Sequence, residues 1–197
     1  MAITQIPPRG IEPGARRINA NPLIINGNMA VAQRATSTAS ITSSGYHTVD
    51  RWRFNYSGSA GTWTQSQEAL GTSDQATTGQ KRALKMDCTS TSSLGSGGYM
   101  SIQQVFEGQD LQLIKKGTSA AEKVTFSFWV KATKTGTNIM TMRDNDNTRS
   151  CSQAYTISSS DTWEQKVVNF PADTTGAFGD DNNASLYVNW FLGAGTD

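Results

Sequence analysis

The sequence predicts an all-β protein: a jelly-roll β-sandwich with an extended N-terminal arm and one short helix. Short segments in which apolar and polar residues alternate recur along the chain, and turns rich in Gly, Ser, Thr and Asn separate them. Charged residues make up only 17% of the chain, whereas Ser and Thr supply almost a quarter. This composition excludes a helical bundle or a coiled coil, which would be rich in Ala, Glu, Lys, Leu and Arg.

Charge and apolar content exclude several function classes. The 17 basic and 16 acidic side chains leave a net charge of +1, which lacks the positive surplus that nucleic-acid binding requires. The apolar runs are too short for membrane insertion, and no secretory leader opens the chain. Cys88, Cys151 and the single His47 are too few to hold a metal, so we expect no metal and no cofactor. The pattern favours two free, mostly buried thiols, although pairing of the two cysteines stays open.

The first 22 residues predict an extended N-terminal arm. Four of the five prolines fall here, and proline removes backbone donors and fixes φ. Two interpretations remain open: a disordered terminus, or an assembly arm that orders against a partner subunit. Six side chains would serve such an arm, three apolar and three basic: Ile3, Ile6, Ile11, Arg9, Arg16 and Arg17.

Residues 23–197 predict one sandwich domain. Its strands are expected at 23–25, 29–31, 46–56, around 63, 83–86, 99–106, 124–132, 138–143, 153–158, 163–170 and 185–192. Leu111 and Ile114, three residues apart and followed by Gly117, predict the short helix over 107–116. After the last strand only Gly193 to Asp197 remain. Either the sandwich ends on that strand, or the chain is a fragment that lacks its closing strand.

Alternation within two strands predicts a glycan-binding site. Trp129 points away from the core side chains Phe128 and Val130, and Tyr187 and Asn189 leave the core face in the same way. Aromatic rings beside amides and charged groups suit a sugar, which offers an apolar face and a rim of hydroxyls. We assign the site to Trp129, Tyr187, Asn189 and Arg143. The alternative is that Trp129 packs under the helical connector or against a neighbouring subunit.

Other candidate motifs favour structural roles. Trp52, Trp63, Trp163 and Trp190 are expected in the core or at interfaces. Asp144, Asp146 and Thr148 alternate like the start of a calcium loop, but the required Gly and Glu further on are missing, so a hairpin turn is the better explanation. No catalytic motif or nucleophile elbow is present, and we expect no enzymatic activity.

Several stretches resemble known proteins. Residues 21–29, 124–132 and 161–167 are similar to strands of carbohydrate-binding-module-like jelly rolls. More narrowly, INGNMAVAQRATS with the later DRW, EGQDLQLIKKGTSAAEKVTFSFWVK and TMRDNDNTRS resemble tailed-bacteriophage virion proteins of the tail-fibre type. Family members usually continue to a further closing strand.

The resemblance implies a virion structural protein, a fibre or decoration component made in the host cytoplasm. It implies a homotrimer whose partners are other tail or capsid proteins, and the predicted glycan-binding site adds a host surface glycan as a partner. A dedicated host-glycan-binding adsorption module is the alternative function, and a polysaccharide depolymerase is the least favoured.

Overall fold

The computed structural model describes residues 23–58 and 61–196 and confirms the all-β class. The predicted arm, residues 1–22, lies outside the described residues. Ten strands follow in chain order: β1 Ser37–Ile41, β2 Arg53–Ser57, β3 Thr62–Ala69, β4 Arg82–Ser90, β5 Tyr99–Glu107, β6 Val124–Val130, β7 Gly136–Asp144, β8 Arg149–Ile157, β9 Glu164–Phe170 and β10 Ala184–Ala194. Two short helices accompany them, α1 at Thr72–Thr78 and a 3-10 helix at Gly108–Ile114.

The strands form one large and two small antiparallel sheets. The large sheet has the order β2-β5-β10-β7-β8, and the small sheets have the orders β1-β3-β4 and β6-β9. Sheet β6-β9 packs face to face on the large sheet, as in a β-sandwich. Sheet β1-β3-β4 contacts the large sheet at the edge formed by β2, where the rings of Phe54 and Trp63 lie 5.9 Å apart. The jelly-roll connectivity remains a prediction.

Trp190 of β10 lies at the centre of the contact between the two layers. Its ring centroid lies 5.3 Å from that of Trp52, 6.1 Å from that of Phe126 and 6.0 Å from that of Phe128. The core placement predicted for Trp52 and Trp190 is therefore confirmed. Phe128 also meets the ring of Tyr155, and burial raises the pKa of that phenol to about 12.

The stretch that follows the arm is irregular, so the strands predicted at 23–25 and 29–31 are wrong. The backbone N–H of Ile25 donates to the buried Gln104 side chain at 3.1 Å, and the Gln104 amide donates back to the Ile25 carbonyl at 2.6 Å. Leu23, Ile24 and Met29 pack against the core cluster. One glutamine amide thus supplies the two hydrogen bonds that a neighbouring strand would otherwise supply.

The first strand and the first helix were not predicted. Strand β1, Ser37–Ile41, has a single buried apolar residue, so it shows no alternation. Helix α1 is composed almost wholly of Thr, Ser, Asp and Gln, and its C-terminal Gly79 adopts the left-handed conformation at φ 70°. The second helix confirms the element predicted over 107–116, but Lys115 rather than Gly117 is its C-cap, with φ 53°.

The two cysteines are free and lie on different sheets, β4 and β8. Cys151 is half-buried, in partial agreement with the sequence-based expectation. Cys88 is exposed, so the expectation of a buried thiol at that position is wrong, because the last residues of β4 face solvent.

We expect Gln104→Leu to lower the free energy of unfolding by about 1–3 kcal/mol, because it leaves the Ile25 N–H and carbonyl without their partner. Denaturant unfolding followed by tryptophan fluorescence measures the change. The control is Gln165→Leu on the exposed side of β9, for which a change within about 0.5 kcal/mol is expected. Equal effects of the two substitutions would contradict the role given to Gln104.

Candidate functional site

The large sheet has one face toward the core and a second, outer face that carries polar and aromatic side chains. Along β10 the core face is formed by Leu186, Val188 and Trp190. Tyr187 and Asn189 alternate with them and point the other way, as predicted. The strand registers then place alternate residues of the four other strands on this same outer face.

A row of polar side chains crosses all five strands of the outer face. The Cα registers align one residue from each strand, and we call this set the polar row: Arg53, Gln103, Asn189, Thr141 and Ser152. Three of its members, Gln103, Asn189 and Thr141, are buried, whereas Ser152 is exposed. The polar row therefore forms the floor of the face.

Hydrogen bonds hold the polar row in one arrangement. The Arg53 guanidinium donates to Gln103 Oε1 at 3.0 Å, and Gln103 Nε2 donates to Asn189 Oδ1 at 2.8 Å. Ser101 Oγ gives a second hydrogen bond to Asn189 Oδ1 at 3.3 Å, and the hydroxyls of Thr141 and Ser152 lie 3.1 Å apart. Because the amides are fixed by one another, this floor is pre-organised before any ligand arrives.

Aromatic side chains lie on either side of the polar row. On one side Tyr187 is half-buried and is paired across the ladder with the exposed Arg143. On the other side Phe191 packs edge-on against Tyr99, with ring centroids 6.1 Å apart. The outer face thus combines rings with amide, hydroxyl and guanidinium groups.

Three of the four predicted site residues come together, and the fourth does not. Tyr187, Asn189 and Arg143 share the outer face of the large sheet. Trp129 lies on β6, opposite Gln165 of β9, and points outward from the small sheet that packs on the core face. It is therefore on the far side of the sandwich, and a single site formed by all four residues is wrong.

A partial signal in the sequence marks the residues of the polar row that the prediction did not include, Arg53, Gln103, Thr141 and Ser152. In strand β5 the alternation of Tyr99, Ser101 and Gln103 against Ile102 and Phe106 indicates an outer face. Gln104 interrupts that pattern because it is a polar side chain on the core face. Alternation shows which residues share a face, but the neighbouring strand that completes the polar row follows only from the sheet order.

A buried lysine holds the β7–β8 hairpin against the loop that precedes β10. Lys116 Nζ lies 2.6 Å from Asp144 Oδ2 and 3.3 Å from Asp173 Oδ2, and it donates to the Thr175 carbonyl at 2.8 Å. The Lys116 and Asp144 side chains are only 7% and 5% exposed. Burial raises the pKa of the Asp173 carboxyl, but the Thr175 N–H, Lys116 and Arg149 outweigh it and hold that pKa below its usual value.

The β7–β8 hairpin contains Asp144, Asp146 and Thr148, whose spacing resembles the start of a calcium-binding loop. Asp144 accepts hydrogen bonds from Asn147, and Asp146 accepts one from the Gly179 N–H at 2.9 Å. The turn interpretation is confirmed, since the run joins β7 to β8. Within 23–58 and 61–196 no group of three or more His, Cys, Asp or Glu side chains could hold a metal ion. In those same ranges no helix is long and apolar enough to cross a membrane.

A cavity of about 440 Å³ opens beside Lys116 at the end of the sandwich. Its walls include the core residues Phe170 and Leu186, and its charged lining includes Asp144 and Asp173. These charges are already engaged with Lys116 and Arg149. The outer face, in contrast, carries the exposed Arg143, for which no ion pair is found among the described residues, and it is the stronger candidate site.

No protein-family model, no curated protein and no solved structure matches this chain.

We expect Lys116→Met to lower the free energy of unfolding by about 3–5 kcal/mol, because it leaves Asp144 charged and unpaired in the interior. The neighbouring Lys115→Met is the control: the exposed Lys115–Glu122 pair should be worth less than about 1 kcal/mol. Adding Asp144→Leu to Lys116→Met should recover part of the loss. Urea unfolding compares the four proteins, and similar costs for the two single lysine variants would contradict this account.

Proposed function

We propose that this chain is a non-enzymatic structural component of a tailed-bacteriophage particle, and that its outer sheet face binds a saccharide on the host surface. The particle assignment rests on the sequence resemblance to tail-fibre-type virion proteins. The binding assignment rests on one observation: a row of hydrogen-bonded amides, hydroxyls and a guanidinium that crosses five strands beside half-buried rings.

The chemistry of this face fits a pyranose. Each sugar ring has an apolar side that packs on an aromatic ring, and its edge carries hydroxyls that need both donors and acceptors. Tyr187 and Phe191 supply the rings, and the polar row between them supplies amide and hydroxyl groups. Since Gln103 and Asn189 are already oriented, binding a sugar costs little side-chain ordering.

An open sheet face binds one ligand weakly because it encloses little of the ligand's surface. Several copies on one particle compensate for weak single sites, since each further contact becomes intramolecular once the first has formed. A structural role and a binding role are therefore compatible in the same module.

We expect the wild-type chain to give signals on a glycan array of bacterial surface oligosaccharides and Tyr187→Ala to weaken them. Loss of one stacked ring is worth about 1 kcal/mol, roughly fivefold in affinity. Trp129→Ala is the matched control, because Trp129 lies on the opposite layer. If Trp129→Ala abolishes the signals and Tyr187→Ala does not, the site is on the other face. An array without any signal argues against the binding role.

Assembly would bury the outward side of sheet β6-β9. Val167 is 59% exposed and shares this side with the half-buried Trp129. This patch and the isoleucines of residues 1–22 together provide apolar surface that a homotrimer would bury. This is the second interpretation of Trp129, as a contact with a neighbouring subunit.

We expect light scattering coupled to size-exclusion chromatography to give the mass of a trimer for the full chain. Replacing Ile3, Ile6 and Ile11 together by serine should shift the mass toward the monomer if the arm joins subunits. A stable, well-folded wild-type monomer at micromolar concentration would rule out the trimer.

A further inference from the structure

We infer that the saccharide bound by the outer face is acidic: an oligosaccharide whose carboxylates are bound by Arg143 and Arg53. This inference rests on the proposed saccharide-binding function and specifies its ligand. The charge of the face, the state of the two guanidinium groups and the distance between them support it.

Arg143 carries an unneutralised charge at the site. It is exposed, it lies directly across the ladder from Tyr187, and among the described residues no carboxylate forms an ion pair with it. Two other arginines of the described fold are paired, Arg34 with Asp50 and Arg149 with Asp173. A planar guanidinium beside a ring is suited to a carboxylate, which accepts two parallel hydrogen bonds from it.

Arg53 is the second cation of the face, and its side chain is held in position. It lies at the β2 end of the polar row, and its Nη1 donates to Gln103 Oε1. That bond uses one of five guanidinium donors, so the remaining donors stay available to a ligand. The hydrogen bond to Gln103 orients the Arg53 guanidinium group without neutralising its charge.

The centre of the outer face carries no opposing carboxylate. Among the strand residues of this face the acidic side chain is Glu107, at the end of β5, where it accepts a hydrogen bond from Gln109. Asp144, the acidic neighbour of Arg143 in sequence, points to the core side and is engaged by Lys116. Gln103 of β5 and Tyr187 and Asn189 of β10 therefore stand on the strands between the two cations, which favours an anionic ligand.

The separation of the cations indicates the size of the ligand. Arg53 on β2 and Arg143 on β7 are three strand spacings apart across the sheet, about 14 Å, and Arg143 lies two residues further along β7 than Thr141, which is in register with Arg53. One pyranose ring cannot span that distance, so the two guanidinium groups would bind carboxylates on different residues of one chain. The predicted ligand is therefore an oligomer of uronic or sialic acid rather than a single acidic sugar.

Isothermal titration of the full chain tests this inference with oligomers of galacturonate, mannuronate and sialic acid. Each oligomer is paired with its carboxyl-reduced counterpart, which keeps the backbone and loses the charge. We expect at least one acidic oligomer to bind and its reduced form to bind about tenfold more weakly or not at all. Added NaCl should weaken the acidic complex.

Arg143→Gln should weaken the acidic complex by about tenfold, since it removes a charge-assisted bidentate contact. The matched control is Arg82→Gln, an exposed arginine on β4 of the separate sheet β1-β3-β4, for which affinity should not change. Equal losses in both variants would indicate non-specific attraction and overturn the inference.

The remaining outcomes separate this inference from the proposed function. Equal binding of acidic and reduced oligomers, weakened by Tyr187→Ala, keeps the saccharide face and overturns the acidic ligand. Binding of sulfated dextran without binding of any carboxylated oligomer also overturns it. If no saccharide binds in the titrations or on the array, both the inference and the saccharide-binding function fail.

Discussion

The central strand β10 imposes the constraint on which both the core and the candidate site depend. Its two faces have different environments: Leu186, Val188 and Trp190 enter the apolar core, and the residues between them line the outer face. Because side chains alternate with a period of two, a slip of one residue would exchange the two sets. It would place Asn189 among the aromatic rings and expose Trp190. The packing of Trp190 therefore fixes the position of the polar row.

The polar row shows how a sheet face can be rigid without being apolar. Each amide in it is oriented by the next, from Arg53 through Gln103 to Asn189. Buried amides that lacked such partners would cost the folded state free energy, so the chain of hydrogen bonds stabilises the sheet and prepares the face at once. The Lys116 contacts act in a comparable way at the end of the same sheet. There they attach the β7–β8 hairpin through Asp144, the residue that follows Arg143 in β7.

Alternation in the sequence predicted the class of fold, most of the strands and the outward position of Tyr187 and Asn189. It could not predict that Trp129 belongs to the opposite layer, because a period of two indicates a side of a strand and not the sheet to which the strand belongs. The burial of Gln104 and Lys116 could not be predicted for another reason. Each is a polar residue buried by partners far away in the chain, at Ile25 and at Asp144, so no local pattern marks it. Strand β1 lacked the apolar residues that would have shown it.

The attachment of Ile25 to Gln104 has a mechanical consequence. Residues 1–22 are covalently continuous with Leu23, so tension applied to that part of the chain reaches the sandwich two residues before Ile25. The load is then borne by the two hydrogen bonds between the Ile25 backbone and the Gln104 side chain of β5. Strand β5 is itself paired on both sides, with β2 and β10. A pull is therefore passed to the interior of the large sheet and shared among several strands. A domain connected in this way can resist traction at its N-terminal end without first peeling away an edge strand.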